Sequence, residues 1–188
     1  MARQISTSVS DFVLACSVFY VSSYLFVGNN RYAATGLLIQ GAAASVGVAR
    51  FAMRRPESTP VFRAHKLLSW LAATAGMGLI AYQYCTNYGA LTMSYVIISF
   101  SGLVTLSSQF MDAKNKQLFV QASSGLALLT VLILSLLQMN IYGISAALTY
   151  ILSGAIFGSE GVMLGFQRVD LLHYGLVAGN IFFLFSLS

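Results

Sequence analysis

Long apolar runs separated by short polar breaks set the pattern of this chain. The first run covers 9–27 and stops at Gly28-Asn29-Asn30-Arg31. The second covers 32–53 and stops at Arg54-Arg55-Pro56. Others occupy 67–85, 88–110, 118–137, 142–166 and 170–187, with Thr86-Asn87, the polar stretch 111–117 and Gln138-Met139-Asn140 among the breaks. Each run is close to the roughly 20 residues a helix needs to cross a bilayer. Each is about twice the 9–11 residues of a membrane β-strand and lacks its alternation, so helices are predicted throughout. The expected fold is all-α: a polytopic transmembrane helical bundle of about seven helices with short loops, forming one transmembrane domain. Only the run 142–166 admits another reading. If it re-entered the membrane, the count would fall to six.

The first apolar stretch, from Phe12 to Val27, superficially resembles a signal peptide. It exceeds the usual apolar core of about 7–15 residues and carries scattered Ser and Tyr, so it is read as a retained first helix.

Composition supports the membrane reading. The chain is 57% hydrophobic and only 8% charged, whereas a soluble domain carries about 25% charged residues to cover itself. Lipid must therefore be the solvent for much of the surface. Seven spans consume most of the 188 residues, leaving no room for a separate soluble domain. Any function has to lie between the helices, at their ends or on their lipid-facing surface.

Charge gives the orientation. Arg3, Arg50, Arg54, Arg55, Arg63, Lys66, Lys114, Lys116 and Arg168 fall on one side of a seven-span topology, and Arg31 alone falls on the other. Basic loops resist translocation, so the crowded side, with the N-terminus, is expected in the cytosol. A net charge of +5 is explained by this asymmetry; nucleic acid is not an expected partner. Secretory-pathway or plasma membrane is the expected location in a eukaryotic source, and no sorting signal refines it.

The runs differ in character. The one at 118–137 is hydrophobic all round and should face lipid. The second, with Gly36, Gly41, Ala42, Ala43, Ala44 and Gly47, is made of small residues that favour close helix contact, which places it centrally. In the sixth, Gly154, Gly158, Gly161 and Gly165 are spaced four, three and four apart, predicting a tight helix-packing face. The turns at Phe51, Phe110 and Phe166 hint at repeated hairpins on the basic side, a feature of transporters.

Candidate chemistry is sparse. Glu160 is placed inside the sixth span, where an acid costs about 2.5–3.5 kcal/mol on insertion scales; it would couple protons, bind a ligand, or pair with Arg168 or Arg50. Asp170 and His173, spaced i,i+3, share a helix face on the basic side, and His65 lies at the matching entry of the third span. These three are the weak candidates for acid–base catalysis at an ester or amide bond, or for a metal-activated water. The plainer alternative makes Asp170 a helix cap and both histidines interfacial. Two histidines fall short of an all-histidine catalytic zinc triad, and no metal or cofactor is expected. Gln40, Gln83, Gln109 and Gln121 are read as interhelical polar contacts rather than a conduit. The basic loop 50–66 could attract anionic headgroups, and its two prolines argue for an extended course. No phosphate-binding loop, nucleophile elbow or dinucleotide fingerprint occurs, and Cys16 and Cys85 are expected at opposite leaflets.

The leading expectation is therefore a non-enzymatic accessory, assembly or lipid-interacting component, with membrane lipids and other membrane proteins as partners. A small-solute or proton-coupled transporter using Glu160, and a membrane-embedded hydrolase or transferase using His65, Asp170 and His173, are the alternatives.

Overall fold

The computed structural model describes residues 4–158 and 160–188; Arg3 lies outside them. The polar breaks do end helices, and the chain forms an all-α bundle. α1 (Ile5–Val27) and α2 (Arg31–Ala52) are followed by α3 (Pro60–Leu71), which runs through a π-helical turn (Ala72–Gly76) into α4 (Met77–Asn87). α5 (Leu91–Ser107) ends in a 3-10 turn (Ser108–Phe110) and is followed by α6 (Ala113–Leu137). α7 (Ile141–Leu152) ends in a second π turn (Ser153–Phe157). A two-stranded hairpin, β1 (Val162–Met163) and β2 (Phe166–Gln167), leads into α8 (Arg168–Leu187). With α3 and α4 taken as one rod, the described residues hold seven rods, and five helices are long and apolar enough to cross a membrane.

α3 and α6 begin five or more residues before their apolar runs. α3 starts at Pro60, where the Thr59 hydroxyl accepts from the Phe62 amide at 3.3 Å and proline occupies the first helical position. α6 starts at Ala113, capped by Asp112, whose carboxylate accepts from the Asn115 amide at 3.0 Å. That amide holds the exposed Asp112 carboxyl below the usual carboxylate range. Hydropathy registers only the part of a helix that lipid would touch, so these solvated first turns escaped the sequence reading.

The sixth span is the clearest correction. Its helix stops at Phe157, and Gly158, Gly161 and Gly165 have φ of 62°, 91° and 82°. These glycines build a reversal and a hairpin turn at Leu164-Gly165; they are not a helix-packing face. Gly154 is helical, but nothing lies within 4 Å of where its Cβ would be. The physical reason is cost: glycine in a helix interior is worse than alanine by about 1 kcal/mol, while positive φ suits it without strain. Glu160 accordingly sits in the loop and is exposed, not embedded in a span.

Packing closes the bundle. α1 lies along α2 and α8, α8 along α7, and α7 along α6, while α4 packs against α2, α5 and α6. Val18, Val21, Leu37, Ile80, Val131 and Phe183 are almost fully buried between them. The small residues of α2 mark its closest approaches. A Cβ at Gly36 would strike the Gly76 carbonyl in the π turn, and one at Gly41 would meet Val18.

At the end away from the N-terminus, three turns share one geometry. After α1, α4 and α6 a residue in left-handed conformation reverses the chain: Asn29 (φ 61°), Gly89 (71°) and Met139 (53°). The next amide, of Asn30, Ala90 and Asn140, donates to the carbonyl five residues back at 2.8 Å in each case. This pattern satisfies helix-terminal carbonyls. The repeated hairpins therefore pair α1–α2, α4–α5 and α6–α7 at this far end. The basic-side connections expected to repeat, at Phe51, Phe110 and Phe166, are a short loop of bends and a turn, a 3-10 turn and a β-hairpin. The prolines do not hold 50–66 extended, because Pro60 opens α3 and the Thr59 amide closes a turn on the Pro56 carbonyl.

Side chains then tie this far end shut. Asn30 Nδ2 donates to the Leu187 carbonyl at 2.7 Å, and Asn140 Nδ2 to the Ser186 carbonyl at 3.0 Å and the Tyr88 hydroxyl at 2.7 Å. Tyr84 donates to Ser186 Oγ at 2.6 Å. The last carbonyls of α8, which have no intrahelical partner, are thereby satisfied inside the bundle.

Candidate acid–base site

Four helices bring polar side chains together at the basic end. α1 supplies Ser10 and Asp11 from its second turn, α2 supplies Arg50 from its last, and α3 supplies His65. α8 supplies Asp170 and His173, which are one turn apart and therefore on one face.

Arg50 and His65 fix one half. The guanidinium lies 4.7 Å from the ring centres of both Phe51 and Phe62, and its Nη1 is 2.8 Å from His65 Nδ1. A guanidinium only donates, so Nδ1 must accept, and the neutral ring carries its proton on Nε2. That N–H points toward Gly47, where it lies 3.0 Å from the position a Cβ would take. Asp11 Oδ2 lies closer still to the same point. The missing side chain of Gly47 is what lets Asp11 and His65 approach.

Asp11, His173, Ser10 and Asp170 form the other half. Asp11 is 1% exposed; its Oδ1 lies 3.5 Å from His173 Nε2, and its Oδ2 has no hydrogen-bond partner. His173 Nδ1 is 2.9 Å from Ser10 Oγ, which is also 3.3 Å from Asp170 Oδ1 and 3.0 Å from the Thr7 carbonyl. One hydroxyl proton cannot serve all three. In one arrangement Ser10 donates to His173 Nδ1, and Nε2–H faces Asp11. In the other, Nδ1–H donates to Ser10, Ser10 donates to Asp170, and Nε2 becomes a free base beside Asp11. Moving the ring proton from Nε2 to Nδ1 and turning the Ser10 hydroxyl from the ring to Asp170 interconverts them.

This half corrects the capping reading of Asp170. Gln167 holds the N-cap position of α8, and Asp170 is inside the first turn, 4% exposed and turned toward Ser10. His173 is buried as well. The sequence-predicted trio does meet in one cluster, through Asp11.

A metal does not suit this cluster. Arg50 holds the proton of His65 on the very nitrogen that would coordinate, and adds a positive charge beside it. Among the described residues, no group of three His, Cys, Asp or Glu side chains is arranged to hold a metal ion.

The cluster forms part of the wall of a cavity of about 940 Å³. Asp11, Arg50, His65 and His173 line its basic end; Leu37, Ile80 and Leu128 line the rest with other apolar side chains. Gln40 lies ten residues before Arg50 on α2, about 15 Å deeper at 1.5 Å per residue. Its Oε1 accepts from Asn180 Nδ2 at 3.2 Å and lies 3.1 Å from the Tyr150 hydroxyl, whose single proton it shares with Asn180 Oδ1, joining α2, α7 and α8. Glu160 reaches only the cavity rim.

The four glutamines divide. Gln40 and Gln83 bridge helices, the latter accepting from the Tyr32 amide at 3.1 Å and donating to Asn87 at 2.8 Å. Gln109 and Gln121 are exposed and make no interhelical contact of the expected kind. Among the cluster's members, Asp11, Ser10 and Arg50 were not singled out for chemistry. The available signal was an acid inside the apolar run 9–27 and an arginine inside 32–53, each costly in lipid unless partnered.

The fold and site together define a helical bundle of membrane type with a buried carboxylate–histidine cluster on an internal cavity. Comparison with protein-family models, curated proteins and solved structures found no match for this chain.

Proposed function

We propose that this protein is a membrane-embedded hydrolase or transferase that acts on an ester or amide bond of an acyl-chain amphiphile at the cytosolic leaflet. One observation carries the reading: Asp11, His65 and His173, from three helices far apart in sequence, converge on the wall of one cavity, and Asp11 keeps a buried oxygen without a partner. A bundle held together for packing alone gains nothing from an unsatisfied buried carboxylate, which costs stability. This consideration favours the acid–base alternative over the accessory role expected from the absence of motifs.

The chemistry follows from the donors and acceptors. Asp11, with His173 behind it, takes a proton from water as the water oxygen bonds to the substrate carbonyl carbon. His65 Nε2–H and Arg50 are donors on the opposite side, suited to the negative charge that develops on the carbonyl oxygen. As the tetrahedral intermediate collapses, the bond to the leaving group breaks, and the proton returns to that group. The acyl chain lies along the apolar part of the cavity. Transport is the weaker reading, because the far end is closed by the Asn30, Asn140 and Tyr84 hydrogen bonds.

The test is turnover by the purified protein in mild detergent, incubated with a total membrane lipid extract and followed by mass spectrometry of released acids and alcohols. Asp11→Asn and His173→Ala should each lower the rate by about 10²–10⁴-fold, the usual contribution of a positioned acid or base. Undiminished turnover in both folded variants, or no lipid consumed by the native protein, would overturn the proposal.

A further inference from the structure

We infer that the mouth of the cavity contains an anion subsite, built by Arg50 and Lys66, for the carboxylate or phosphate head of an acyl-chain amphiphile. The inference rests on the cavity described above and adds the chemical class of its ligand's head. Three observations lead to it.

Arg50 is a half-buried cation without a carboxylate partner: among the described residues the ion pair within 4.0 Å is His173–Asp11, and Arg50 is not in it. Its Nη1 is committed to His65, while its Nε is buried and has no partner. A guanidinium that has lost water and gained only the His65 ring nitrogen as acceptor keeps strong donors free for an anion.

A second cation converges on the same place. Lys66 Nζ lies 5.1 Å from the centre of the Phe62 ring that also stacks with Arg50. Both residues line the cavity. Two like charges around one aromatic ring repel each other, and an anion between them relieves that repulsion. Asp11 and Glu57 line the same cavity and act on Arg50 through space, but neither comes within 4.0 Å of it, and Glu57 is exposed.

Finally, the cavity extends well beyond a head. Gly36, also on its wall, lies fourteen residues before Arg50 along α2, about 21 Å deeper at helical rise. Apart from Gln40 and Tyr150, that stretch is bordered mainly by apolar side chains such as Leu37, Met77 and Ile80. A soluble anion would leave it empty; an acyl chain fills it.

The test compares three ligands of equal chain length by native mass spectrometry of the whole purified protein: oleate, oleoyl lysophosphatidate and neutral monoolein. The two anionic ligands should be retained about tenfold more than monoolein, the value of one charge-assisted hydrogen bond. Oleate above lysophosphatidate assigns the subsite to a carboxylate, and the reverse order assigns it to a phosphate. Arg50→Gln should erase the preference, and Arg50→Lys should keep part of it. If Arg50→Gln does not fold, Lys66→Gln, an exposed position, should still weaken the preference. Equal retention of all three ligands by the native protein, or an undiminished preference in Arg50→Gln, would sink the inference. Asp11→Asn separates this result from the proposed activity: a head preference retained in Asp11→Asn, with no turnover by the native protein, leaves the subsite standing and removes the enzyme.

Discussion

Asp11 and Gly47 are best understood as a pair. A carboxylate at 1% exposure with one unpartnered oxygen needs space in a crowded helix contact, and that space exists because the residue facing it from α2 has no side chain. Adding a methyl group there forces Asp11 or His65 aside. Gly47→Ala should therefore cost about 1–3 kcal/mol, the usual penalty of overpacking, and should disturb the Asp11–His65 approach. Gly102 is a matched control, because it is also helical and nothing lies within 4 Å of its Cβ position. Gly102→Ala should be neutral or stabilising by up to about 1 kcal/mol from helix propensity. Thermal unfolding of both variants in detergent decides the matter: equal midpoints would mean that Gly47 is ordinary helix and that the geometry around Asp11 is loose.

At the scale of elements, the far-end turns do more than reverse the chain. Asn140 caps α7 through the Gly143 amide at 2.9 Å, and its amide group also holds the end of α8 and the Tyr88 hydroxyl. Asn140→Ala removes all three at once and leaves two half-buried acceptors and the Gly143 amide without partners, at about 1–3 kcal/mol. Hydrogen exchange should rise in the last turn of α8 and at the start of α7 but not around His173; protection unchanged at both helix ends would contradict this role. The sequence revealed these elements unevenly. Apolar length located all seven rods, because lipid-facing surface is written directly in hydropathy. It missed the start of α3 and the end of α7, where capping by Thr59 and the positive φ of Gly158 decide and hydropathy is indifferent. Glycine spacing misled for a related reason: a four-three-four pattern suits a helix face, and the same residues suit turns. The site was half legible. His65, Asp170 and His173 stood out by residue type, whereas Asp11 and Arg50 were absorbed into the edge of an apolar run and the charge count. Only tertiary packing shows that these five residues meet.

On the scale of the whole molecule, the bundle is asymmetric along its axis. One end carries the basic residues other than Arg31, a charged cluster and a cavity; the other carries hydrogen-bonded asparagines that seal the helices together. Chemistry on a ligand that arrives from, and leaves to, the same leaflet needs the cavity to open only at the basic end, whereas translocation needs both ends to open in turn. Cysteine accessibility separates these cases and checks the orientation inferred from charge. Cys16 and Cys85, both free thiols, are first replaced by serine. Single cysteines are then placed at Glu57, in the basic loop, at Gln138, in an exposed far-end turn, and at Gln40 in the cavity wall. A membrane-impermeant thiol reagent applied to intact cells should label the Gln138 position and spare the other two. Applied to inverted vesicles, it should label Glu57→Cys fast and Gln40→Cys more slowly, and the slower reaction should be blocked by oleate. Labelling of Gln40→Cys from the Gln138 side would show that the far end opens, and would move the reading to transport. Labelling of Glu57→Cys and Gln138→Cys from the same side would mean that the three rods between them, α3–α4, α5 and α6, do not all cross the membrane.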